Sequence, residues 1–172
     1  DRLLMERFWP GPLTLLLPKR AQVPDLVTAG LPTIAVRMPS HPVAQGLIRE
    51  AAVPVAAPSA NPFGYVSPTC AQHVADGLGE RVDLILDGGP CQLGVESSIA
   101  SMVGSRPELL RPGSITLEEI SKVVGPVVRA PKNLTMVAPG RLARHYATHT
   151  PLTILAEQEA QPIMPLAERA GL

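Results

Sequence analysis

Twenty prolines punctuate this 172-residue chain, and many stand beside the ends of short aliphatic runs. Proline locks φ and has no N–H to give to a helix or a ladder, so it marks where elements start and stop. Between these marks, strand and helix patterns alternate. Leu3, Leu4 and Phe8 share a helical face, and Pro10-Gly11 stops that helix. Leu13 to Leu17 reads as a strand, and Thr33 to Val36 as a second that ends at Arg37. Ser40 is expected to cap a helix carrying Val43, Leu47 and Ile48 inward. Val53 to Ala57 reads as a short buried strand, residues 68–76 as a helix and Leu84-Ile85-Leu86 as another strand. Ser98 to Val103 and Glu108 to Leu110 read as strands joined by a turn at Gly104-Ser105. Thr116 with Glu119 forms a capping box, and Gly125 closes that helix. Elements in this order predict an α/β (α+β) fold, a twisted mixed sheet with helices packed on it.

Composition limits the function classes. Hydrophobic residues are 45% and aromatics only 3%, so an aliphatic core is expected and disorder is excluded. The net charge is zero, so no global field recruits nucleic acid or a membrane. Cys70 and Cys91 alone make neither a disulfide framework nor a zinc site, and a reducing cytoplasm is the expected compartment. No apolar run reaches membrane-spanning length. Asp1 falls inside a helix pattern, which reads as a fragment of a longer protein. Residues 1–125 are expected to form one domain. A proline-rich basic linker spans 126–150 and holds Arg129, Lys132, Arg141 and Arg144. A second, truncated domain is expected from 151 to 172, opening with a strand at Leu152 to Leu155 and a helix at Pro165 to Ala170.

Polar residues at element ends are the chemical candidates. Pro58-Ser59-Ala60-Asn61 leaves the expected strand 53–57 as a loop of small residues. Ser67-Pro68 then opens a helix, with Ser67 as N-cap. A strand end, a small-residue loop and a helix N-terminus suit an anion, because free N–H groups face it; an ordinary capped loop has the same signature. Arg37 and Arg111 each stand where a strand meets solvent. Either can clamp a carboxylate or phosphate, or make a surface ion pair. Ser97 and Ser98 open a strand and can bind a ligand or cap a turn. His41 reads as a turn or capping residue. Ser-His-Asp, Walker, HExxH and GxGxxG patterns are absent.

Six phrases in order then carry a resemblance. They are Phe8-Trp9-Pro10-Gly11-Pro12-Leu13-Thr14, Thr33-Ile34-Ala35-Val36-Arg37-Met38-Pro39, Ala57-Pro58-Ser59-Ala60-Asn61, Ser67-Pro68-Thr69, Glu96-Ser97-Ser98-Ile99 and Leu110-Arg111-Pro112-Gly113. Together they resemble the YrdC-like domain of threonylcarbamoyl-AMP synthases. Ala138-Pro139-Gly140 with Arg144-His145-Tyr146-Ala147 resembles the linker of that family's two-domain branch.

The resemblance implies an enzyme joining L-threonine, bicarbonate and ATP into threonylcarbamoyl-AMP, with Mg²⁺ accompanying ATP. Partner proteins then pass the group to tRNA. By position it assigns Thr33, Ser59, Ser67 and Arg111 to ATP, with Ala138 and Tyr146 closing over the nucleotide. It assigns Arg37, Ala57 and Ser97 to threonine, Arg37 on the carboxylate. Ser59 and Asn61 match the Ser-x-Asn half of a catalytic Lys-x-Arg plus Ser-x-Asn tetrad. The family's Lys-x-Arg-Pro phrase has no match here, so this chain alone is expected to make little product. An RNA-binding module on the same fold is the alternative.

Overall fold

The computed structural model describes residues 1–131. Its centre is β1 (Leu13–Pro18), which pairs antiparallel with β2 (Thr33–Val36) and parallel with β3 (Ser98–Ser101). β4 (Glu108–Arg111) returns antiparallel to β3, and β5 (Val128–Arg129) lies parallel to β4. The strand order is β2-β1-β3-β4-β5. This is the mixed sheet expected from the sequence.

Alternation along β1 decides what each face holds, because successive side chains point to opposite sides. Leu13 and Leu15 turn toward Ala100 and Leu109, and Leu4 of α1 (Arg2–Phe8) and Ile120 of α5 (Leu117–Val124) close over them. Each such leucine contributes about 1.5–3 kcal/mol by leaving water. Leu16 joins Ile99, Leu110 and Ala130 in a second, smaller cluster. α5 carries the expected capping box: Thr116 Oγ1 accepts from the Glu119 N–H, and the Glu119 carboxylate accepts from the Thr116 N–H.

Loop geometry fastens α1 to β1. The Trp9 indole N–H donates to the Leu13 carbonyl at 2.7 Å. A Cβ on Gly11 would stand 2.3 Å from the Phe8 carbonyl oxygen, so only glycine lets the chain turn there. Between β1 and β2 lies the short α2 (Asp25–Thr28), which the sequence pattern does not announce. The Lys19 ammonium pairs with the Asp25 carboxylate and lies 3.3 Å from Thr28 Oγ1.

Several expectations are corrected. Residues 53–57 form no strand; Val53 and Val55 are 58% and 45% exposed. Residues 84–86 form none either, and Leu84 is 75% exposed. An apolar run becomes a strand only when a neighbour takes its backbone hydrogen bonds, and no described strand does so here. The helix expected at 68–76 is α4 (Ala71–Leu78), and its N-cap is Cys70 rather than Ser67. α3 (Pro42–Ala51) is capped by His41, not Ser40, and buries no residue fully; Val43 and Leu47 are exposed. β3 stops at Ser101, two residues short of Val103. β5 was not expected. The residues read as a strand at 152–155 and a helix at 165–170, and most of the 126–150 linker, lie outside the described residues.

Candidate functional site

Polar side chains in an aliphatic sheet mark the site. Thr14 interrupts the buried run of β1, and by alternation it faces away from α1 and α5. Its hydroxyl lies 2.7 Å from Ser97 Oγ, and both residues are buried. The register pairs Leu15 with Val36, so the next rung sets Arg37 beside Thr14 at the end of β2. On the other flank, a shift in the β3–β4 ladder pairs Ile99 with Arg111. Opposite residues share a face, so the bulge turns Arg111 toward Ser97. The Arg111 guanidinium donates to the Ser97 carbonyl from Nε at 3.1 Å and from Nη2 at 2.9 Å, and Nη2 lies 3.2 Å from Ser97 Oγ. Arg37, Thr14, Ser97 and Arg111 thus form a row across four strands.

Close backbone approach keeps that row in place. A Cβ on Gly113 would lie 2.4 Å from the Glu96 carbonyl oxygen and 2.5 Å from the Ser98 nitrogen. Glycine there lets the turn after Arg111 cross the start of β3. Ser98, fully buried, donates to the Ile115 carbonyl and accepts from the Ile115 N–H. The loop after Arg37 is held by the Gly11 N–H on the Met38 carbonyl at 2.8 Å. Gln45 Nε2 holds the same loop through the Pro39 carbonyl at 3.0 Å.

The electrostatics favour an anion. Partial burial of the Arg37 guanidinium, and then the charge of Arg111, lower the Arg37 pKa. The residue as a whole stays exposed, so the desolvation is incomplete and the charge is kept. Among the described residues no carboxylate pairs with Arg37. Two guanidiniums that repel each other across a buried serine are relieved by a bound carboxylate or phosphate.

The other sequence candidates divide. Ser67 Oγ donates to Glu96 Oε1 at 2.6 Å, which brings it to the edge of the row through the neighbour of Ser97. Asn61 organises its own loop: Nδ2 donates to the Pro62 carbonyl at 2.9 Å and the Tyr65 carbonyl at 3.1 Å. Its Oδ1 is buried without a hydrogen-bond partner. Ala57 and Ser59 are exposed, and no hydrogen bond ties the Ser59 side chain to the row. Thr33 opens β2 at its far end, roughly 13 Å along the strand from Arg37. Ala138 and Tyr146 lie outside the described residues.

Two residues were missed as site members. Thr14 had a signal, a lone hydroxyl inside a buried strand. Glu96 stands in a motif phrase, but nothing local points to its pairing with Ser67, 29 residues away. Among the described residues no group of three His, Cys, Asp or Glu could hold a metal ion. No described helix is long and apolar enough to cross a membrane.

Residues 2–113 match the family model of Sua5, YciO and YrdC, described as "Telomere recombination". The chain belongs to this family. Residues 115–170 match a second model, the threonylcarbamoyl-AMP synthase C-terminal domain. The threonylcarbamoyl-AMP synthase of Bacillus subtilis is 50% identical over 158 residues, covering 89% of this chain and 46% of that protein. That of Pyrococcus abyssi is 49% identical over 150 residues, covering 84% and 44%. The chain therefore spans under half the length of these Sua5-type relatives. Among solved structures, P. abyssi Sua5 complexed with L-threonine superposes with a TM-score of 0.82 at 48% identity, covering 85% of this chain and 44% of that one. Escherichia coli YciO gives 0.61 at 25% identity, covering 69% and 57%.

Proposed function

We propose that this chain is part of an L-threonylcarbamoyladenylate synthase, a nucleotidyltransferase that joins L-threonine, bicarbonate and ATP and releases pyrophosphate. The observation that carries the reading is the pair of guanidiniums, Arg37 and Arg111, set around Ser97 on the sheet face away from α1 and α5. The L-threonine bound by the P. abyssi relative supports the same substrate here.

In this reading Arg37 takes the threonine carboxylate, because it is charged and no carboxylate among the described residues pairs with it. Ser97 and Ala57 are small enough to leave room for an amino acid. Arg111 is already oriented by Ser97 and meets developing phosphate charge without rearranging. Ser67, Thr33 and Ser59 supply hydroxyls along the nucleotide, and Asn61 shapes the loop that carries Ser59. Ala138 and Tyr146 complete the nucleotide site. Mg²⁺, expected with ATP, would be carried by the phosphates, since the described residues assemble no acidic cage. Positioning and charge do the work, with no protein nucleophile. The product serves tRNA modification through partner proteins in the cytoplasm.

Threonine titrated calorimetrically into the complete protein and into its Arg37→Ala variant tests this. Loss of a charge-assisted bidentate pair should weaken threonine binding by about 1.5–3 kcal/mol and ATP binding far less. Arg37→Lys should restore only part, because an ammonium lacks the fork. Equal threonine affinity in wild type and Arg37→Ala would end the assignment.

A further inference from the structure

The two cysteines are 21 positions apart in sequence, and a backbone hydrogen bond joins the segments that carry them. The Cys91 N–H donates to the Thr69 carbonyl at 2.7 Å. That oxygen belongs to the peptide unit that ends at the Cys70 Cα, and the donor nitrogen is bonded to the Cys91 Cα. Standard bond lengths across a trans peptide then hold the two Cα atoms within roughly 6.5 Å. Disulfides span Cα separations of about 4.4–6.8 Å. Both thiols are free, Cys91 exposed and Cys70 half-buried. The Cys70 side chain makes no capping hydrogen bond to α4. With Gly89 and Pro90 it lines a cleft of about 350 Å³, so the segment leading into Cys91 runs along it.

We propose that Cys70 and Cys91 form a thiol–disulfide exchange site for a small-molecule disulfide oxidant. The Cys91 thiolate attacks one sulfur of the oxidant RSSR. A mixed disulfide forms, the oxidant's S–S bond breaks, and RS⁻ leaves and takes a proton. The Cys70 thiolate then attacks the Cys91 sulfur, the Cys70–Cys91 bond forms, and the second RS⁻ leaves and is protonated. The two cysteines together lose two electrons and two protons; the oxidant gains them as two RSH. The bridge falls three residues after Ser67 and five before Glu96, whose side chains already meet. It therefore staples together the two loops that flank the polar row, whatever ligand that row binds.

Glutathione disulfide added to the native chain, followed by acid quench, thiol blocking and trypsin, tests the site. Cleavage after Arg49, Arg81 and Lys122 separates the cysteines, because the Arg106–Pro107 and Arg111–Pro112 bonds resist trypsin. The expected product is fragment 50–81 linked to fragment 82–122 within one chain, in a yield independent of protein concentration. Linking should be roughly tenfold or more faster than in urea, because the fold holds the thiols together. Cys70→Ser should stop at a mixed disulfide on Cys91. Mixed disulfides without a linked fragment in wild type would overturn the proposal. So would links found only between chains, or linking no faster in the native chain than in urea.

Discussion

Two regions of this molecule use similar residues to opposite effect. In the sheet with α1 and α5, Leu4, Leu13, Leu15 and Ile120 are all 0% exposed. In the stretch from α3 to the start of β3, neither α3 nor α4 buries a residue fully, and Leu84 and Leu86 face solvent. Both regions are rich in aliphatics. The difference is that β1 has a partner on each side and helices over one face. The second region is held by scattered polar contacts, such as His41 Nε2 on the Gly88 carbonyl at 3.2 Å and Ser67 on Glu96. Hydrophobicity fills a core only where topology brings a second surface to it. The candidate site lies on the seam between the two regions, with the strand row on one side and the connecting loops on the other.

The largest test of this contrast is a pair of truncations. Leu15→Ala should cost about 2–5 kcal/mol, from lost transfer and the cavity left in a closed core. Leu84→Ala should cost less than about 0.5 kcal/mol, because its side chain is already in water. Urea midpoints measure both. Similar losses would show that the second region is also packed in solution.

A smaller effect compares two helix caps. Thr116→Ala should cost about 1 kcal/mol, since α5 is tied to the core through Ile120. His41→Ala should barely move the global midpoint and should instead speed amide exchange in α3, whose opening is uncoupled from the core. A global loss from His41→Ala equal to that from Thr116→Ala would break the comparison.

The smallest effect is a pH dependence. The hydrogen bond from Lys19, and then its charge, hold the Asp25 carboxyl below its ordinary value of 3.8. A carboxyl lowered on folding stabilises the fold above that ordinary value and loses the contribution as pH falls through the folded pKa. Asp25 is exposed, so the effect is small. Asp25→Asn should abolish it, and thermal melts of the two proteins across acidic pH should differ in slope. Identical slopes would remove Asp25 from the account.

The parts of the fold visible in sequence are those whose cause is local. The Thr116–Glu119 box closes within one turn, and the β3–β4 hairpin returns across a few residues. Arg37 and Arg111 stood out because each ends an aliphatic strand. Ser67 departs from its local pattern for the converse reason. Ser-Pro is a good cap signal, but the hydroxyl's partner is Glu96, so the helix waits until Cys70 to begin. Residues 53–57 have a strand's apolar run, yet whether a run becomes a strand depends on a partner that no local pattern specifies. β5 is only two residues long and exists because β4 offers it an edge.

Local pattern therefore sets the element types near their caps, the aliphatic character of the core, and the identity of the charged strand ends. Long-range packing sets the pairing of β1 with β3 across more than 80 residues, with Leu13 opposite Ser98. It alone sets the bulge that turns Arg111 onto Ser97, and the hydrogen bond of the Cys91 N–H on the Thr69 carbonyl. The physical reason is range. Capping and periodicity act over one or two turns, whereas strand register and site geometry follow from which distant surfaces can exclude water together.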